Sequence, residues 1–135
     1  MEHKKELLQQ WLDKGNEELR VAEYISAMQH PTPYETICYL CQQSAEKYLK
    51  GYLIFCGVDE PPKIHNLPRL CVLCSEHDET FIEILPQCEF LTGFGVQARY
   101  PDEIYIDEEM AKKAIDYAQK IKHFAPINEL RKRID

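Results

Sequence analysis

Apolar residues return every three or four positions through most of this chain, and prolines and glycines cut that rhythm into helix-length pieces. No segment alternates with a period of two for long enough to make a convincing strand, so the pattern predicts an all-α fold. The first piece, residues 4–28, carries Leu8, Trp11, Leu12, Gly15, Leu19, Ala22 and Ser26 on one face, with Lys14, Glu17, Glu18 and Arg20 outward. His30-Pro-Thr-Pro33 ends it, because a residue before proline is pushed out of the helical region. The second piece, residues 34–56, is the most apolar. Its stripe of Ile37, Leu40, Cys41, Ser44, Ala45, Tyr48, Tyr52, Phe55 and Cys56 predicts the centre of a bundle, and Gly57 offers a left-handed cap.

Residues 58–65, with Pro61 and Pro62, read as a loop. Asn66 is placed to N-cap a third helix that has Pro68 in its first turn, carries Leu67, Leu70, Cys71, Leu73 and Cys74, and ends near Glu76. A short turn over residues 78–85 follows, then a helix from Pro86 to about residue 98 and a loop to residue 106. Asp107-Glu-Glu109 opens the last long helix with acids at its positive dipole end. Ala111, Ala114, Ile115, Ala118, Ile121 and Phe124 make its core face, Pro126 interrupts it, and Leu130-Arg-Lys-Arg133 forms a basic tail. The expectation is one domain over residues 1–135, an up-and-down bundle of four to five helices.

Bulk properties narrow the function. At 44% hydrophobic and 29% charged, the chain has the composition of a globular protein and not of a disordered one. No apolar run approaches a membrane span, the first residues are amphipathic and unlike an export signal, and six cysteines in that setting read as reduced thiols; a cytoplasmic protein is expected. A net charge of −7 excludes a generic nucleic-acid binder, whose affinity comes from neutralising phosphates. It favours a protein partner or a small ligand unless a local basic patch intervenes.

Four groups of residues carry candidate chemistry. Gln43, Glu46, Lys47 and Lys50 share much of one helical face, and Glu46 and Lys50 form an i, i+4 pair in the favoured order. That face is either solvated, with one surface ion pair, or a groove in which Lys47 and Lys50 meet a phosphate while Gln43 and Glu46 orient them. His65, just before the Asn66 cap, either holds a loop carbonyl or faces an anion at the helix start. In Arg99-Tyr-Pro-Asp102, Arg99 either caps a helix and pairs with Asp102, or grips a phosphate with its fork while Tyr100 stacks a base. Cys38-x-x-Cys41 and Cys71-x-x-Cys74 have zinc-like spacing but fall inside predicted helices, where free cysteine packs as a small hydrophobe; structural zinc on these four is the alternative. The remaining histidines share no metal spacing, and no cofactor motif is present, so no cofactor is expected.

The block Gln42-Gln-Ser-Ala-Glu-Lys-Tyr-Leu-Lys50, followed by Gly57, His65-Asn-Leu67 and Arg99-Tyr-Pro-Asp102 before an alanine-rich helix, resembles the HEPN domain family over nearly the whole chain. It is most similar to small stand-alone bacterial and archaeal members that are often paired with a minimal nucleotidyltransferase. The resemblance implies a helical bundle of the nucleotidyltransferase-substrate-binding type that commonly dimerises. Many relatives are toxin ribonucleases, metal-independent, with an arginine followed a few residues later by a histidine. Here Arg99 matches the arginine, but the window after it holds Ile104, Tyr105 and Ile106, and the next histidine is His123. Tyr105, with a reference pKa of about 10, is a poor proton shuttle at neutral pH. What the resemblance implies is therefore a homodimeric binding protein and not an enzyme. It would take a nucleotide, an RNA or a partner nucleotidyltransferase, as in a toxin–antitoxin pair, through Gln43, Glu46, Lys47, Lys50, His65, Arg99, Tyr100 and Asp102. The enzymatic alternative is a divergent endoribonuclease using Arg99 with Tyr105 or with a histidine brought in from elsewhere.

Overall fold

The computed structural model describes residues 2–95 and 105–134. Among them are six α-helices and one 3-10 segment, with no strand: α1 Glu2–Met28, α2 Tyr34–Phe55, α3 Leu67–Ser75, the 3-10 segment Glu79–Ile84, α4 Leu85–Thr92, α5 Glu108–Lys122 and α6 Ala125–Ile134. The all-α bundle expected from periodicity is what forms. No helix of the described residues is long and apolar enough to cross a membrane.

Local chemistry sets the helix ends. Asn66 Oδ1 accepts from Arg69 N at 3.0 Å and starts α3, and Asp107 Oδ1 accepts from Met110 N at 2.9 Å and starts α5. Gly57, at φ +104°, supplies the left-handed turn after α2. Two boundaries differ from expectation. The helix expected to reach residue 98 ends at Thr92, and Gly93 caps it. The last helix is two helices: α5 stops at Lys122, and Pro126 lies in the first turn of α6, where its missing N–H costs nothing.

α2 is the core element and touches all five other α-helices. Fourteen of its residues are buried, including Ile37, Cys38, Cys41, Ala45, Tyr48, Leu49, Leu53 and Ile54. α1 lies antiparallel against it, closely enough that Ser44 Oγ donates to Gly15 O at 2.7 Å. A Cβ on Gly15 would stand 3.2 Å from both Lys47 Cβ and Tyr48 Cε1, so glycine at this crossing sets the distance between the two helices. One turn on, the Tyr48 hydroxyl bonds Asn16 Oδ1. That close seam brings the polar residues of α2 under α1 instead of leaving them in solvent.

Candidate functional site

A helix that runs through a core has to satisfy its polar side chains locally. On α2, Gln42, Glu46 and Lys50 stand one turn apart in a line and are 0%, 3% and 5% exposed. Glu46 is the centre of the cluster. It accepts from Lys50 Nζ at 3.0 Å, from Gln42 Nε2 at 3.2 Å, and from His65 Nδ1, which lies 3.1 Å from both carboxylate oxygens. Gln42 Nε2 also donates to His65 O at 3.2 Å. Both of its partners are acceptors, so the amide nitrogen must face them, and Gln42 Oε1 has no partner among the described residues.

Three elements converge here. Gly95 lies against the Gln42 amide, where a Cβ would come within 3.3 Å of Nε2. Leu67 N donates to Thr92 Oγ1 at 3.0 Å and ties the start of α3, beside His65, to the end of α4. The His65 side chain itself is 72% exposed. With Nδ1 donating to the carboxylate, Nε2 is the ring nitrogen left for a ligand. The fold thus orients one solvent-facing histidine on an otherwise internal polar cluster.

The electrostatics follow from this wiring. Burial pushes the Glu46 carboxyl up, but hydrogen bonds from Lys50 and His65, the Lys50 charge and the Gln42 hydrogen bond outweigh it and hold the group below the usual carboxylate range. A carboxylate depressed by folding contributes stability that is full above its unfolded value, about 4.3, and is lost as pH falls through the lower folded value. Glu46→Gln is therefore expected to flatten the acid limb of stability against pH. Urea unfolding at steps from about pH 6 down to about pH 3 measures this; an unchanged acid slope would remove Glu46 as its source.

A second ion pair sits alongside. Lys47 Nζ is 3.3 Å from Glu18 Oε1 and donates to Oε2 at 3.4 Å. Glu18 is buried, and here burial outweighs the Lys47 charge and hydrogen bond, so its carboxyl is pushed up. Oε1 keeps the ion-pair distance but gains no hydrogen bond among the described residues. Lys50 Nζ in turn lies 5.8 Å from the centre of the Trp11 ring and links the cluster to α1.

Several expected features are rearranged. The Glu46–Lys50 pair is not a solvated surface bridge: both partners are buried beneath α1 and the His65 loop. Lys47 and Lys50 each already have a carboxylate partner. Gln43 is half-buried, and it is Gln42 that joins the cluster. Tyr105 is 85% exposed, just ahead of the Asp107 cap. Arg99, Tyr100 and Asp102 lie outside the described residues. The zinc alternative fails on geometry, since no three His, Cys, Asp or Glu side chains among the described residues converge as a ligand set. Burial pushes the Cys38 thiol to about 12 and raises those of Cys41 and Cys74, while a hydrogen bond with Cys88 lowers that of Cys71.

The sequence model of the HEPN domain matches residues 8–130. The chain belongs to the HEPN family. The crystal structure of TT1696 from Thermus thermophilus is 25% identical to it, with a TM-score of 0.75 over 90% of this chain and 96% of that one. ST0689, an archaeal HEPN homologue, is 27% identical, with a TM-score of 0.68 over 95% of this chain and 98% of that one. No curated protein matches the chain. The HEPN family includes nucleotide-binding and ribonuclease-like members. In this HEPN domain the matched region holds the whole Glu46 cluster, and the segment with Arg99 follows Gly95 directly in the chain.

Proposed function

We propose that this HEPN domain is a binding module for a nucleotide, with His65, the polar face of α2 and Arg99 as its contacts. The observation that carries this reading is the buried Glu46 carboxylate bonded to an exposed imidazole. A buried, fully engaged carboxylate behind a solvent-facing histidine fixes that ring before any ligand arrives, which lowers the ordering cost of binding. The module acts as a homodimer and pairs with a minimal nucleotidyltransferase in a toxin–antitoxin arrangement.

Native mass spectrometry of freshly purified protein, alone and co-expressed with the nucleotidyltransferase, tests the assembly. A dimer with nucleotide mass or a stoichiometric partner is the expected result, and a bare monomer in both samples contradicts it. The His65–Glu46 geometry also favours a second reading, a divergent RNA-cleaving toxin in which His65 is the histidine missing after Arg99. That reading requires growth arrest on expression, relieved by His65→Ala and by Arg99→Ala. Arrest that survives both substitutions, or no arrest at all, leaves the binding reading alone.

A further inference from the structure

A shallow groove of about 310 Å³ runs along the α1–α2 seam, lined by Leu7, Gln10, Trp11, Lys14 and Lys47. Its size is at the lower end for small-ligand sites. Leu7, Trp11 and Lys14 follow one another at helical spacing on α1, and Lys47 faces them from α2. The lining contains two lysines, a carboxamide, an indole and a leucine, and no carboxylate. Glu17 and Glu18 pair with these lysines from outside the lining, and a wall with two ammoniums and no acid of its own suits an anion better than a cation. Lys47 is held in position by Glu18, which is itself buried. Lys14 is only 3.9 Å from Glu17 with both side chains more than half exposed, so that pair costs little to break and its ammonium is free to turn to a ligand.

Trp11 decides the rest of the ligand. It is half-buried in the lining of the groove, and its ring is approached by Lys50, which Glu46 holds at 3.0 Å. An indole is a stacking platform for a flat ring, and every nucleobase has such a face. The Gln10 carboxamide adds one donor and one acceptor for a base edge.

We infer that the Trp11 groove is the base subsite of this protein, taking the nucleobase of a nucleoside monophosphate stacked on the indole with its phosphate on Lys14 and Lys47. The inference rests on the nucleotide-binding reading and names where the base goes. It is directly testable because Trp11 is the chain's single tryptophan, so its fluorescence reports this site alone. Titration of the intact protein with AMP, GMP, CMP and UMP is expected to quench that emission saturably with at least one of them, and ribose 5-phosphate and inorganic phosphate are expected not to. By calorimetry, Trp11→Phe retains the binding and Trp11→Ala weakens it by about 5- to 150-fold, the range that base–aromatic stacking spans. Lys14→Ala, a surface change that leaves the fold intact, is expected to weaken the monophosphate more than its nucleoside. If calorimetry detects a bound nucleotide while Trp11 emission stays constant and Trp11→Ala and Lys14→Ala leave affinity unchanged, the base subsite lies elsewhere and the nucleotide reading stands. If none of the four nucleotides binds by either method, both fall.

Discussion

Glu46→Ala is expected to destabilise the protein by about 3–5 kcal/mol, the cost of stranding one partner of a buried ion pair. Lys50 would keep its charge in a site where it is 5% exposed and has lost its carboxylate partner, and Gln42 and His65 would lose an acceptor at the same time. Trp11, 5.8 Å from the Lys50 ammonium, does not replace a carboxylate. The prediction separates two roles that a single substitution would confuse. Glu46→Leu combined with Lys50→Met removes both charges and fills similar volume, and is expected to be close to neutral, because a buried pair gains in attraction about what it loses in desolvation. Urea unfolding of the wild type, the single variant and the double variant decides it. A loss below about 1 kcal/mol for Glu46→Ala would mean that water reaches Lys50 and that the cluster is open. A neutral double variant would show that the pair is dispensable for folding, which leaves the seating of His65 as what it contributes.

How much of this was legible in the sequence depends on the length scale of the interaction. Caps are local, and Asn66, Asp107 and Gly57 act where their side chains or backbone freedom predict. The resemblance carried by Gln42–Lys50 and the motifs after it led to the correct family. The Glu46–Lys50 pair was visible as spacing, but its burial was not, because an i, i+4 relation is the same whether α1 and a loop close over it or water does. Gln42 held a usable signal: it stands four, three and seven positions from Cys38, Ala45 and Leu49, all buried, and so belongs to the core stripe as much as to the polar face. The contact between Glu46 and His65 joins residues nineteen apart across a proline-rich loop, and no periodicity encodes it. Arg99, the other half of the sequence-level site, lies outside the described residues.

Phe81→Ala is expected to cost about 3–5 kcal/mol, as large as breaking the buried ion pair, from a residue that helical periodicity passes over. Phe81 is fully buried, 4.5 Å from the Tyr52 ring and 5.0 Å edge-on from Phe124. It joins three parts of the chain: α2 through Tyr52, the α5–α6 corner through Phe124, and α3 through its own carbonyl, which accepts from Cys71 Sγ at 3.1 Å. It sits in the 3-10 segment Glu79–Ile84, started by Asp78, whose Oδ1 accepts from Thr80 N at 3.0 Å. Six residues with a three-residue repeat are too few for an apolar stripe to stand out, so the segment reads as a turn. The backbone anchor survives substitution, since the carbonyl and the Asp78 cap remain, and the loss isolates the side chain's packing. Phe81→Leu refills much of the space and is expected to recover at least half of the stability lost in the alanine variant. Equilibrium urea unfolding of both variants measures this. Equal losses for leucine and alanine would mean that the aromatic contacts with Tyr52 and Phe124, and not the volume, hold this corner together.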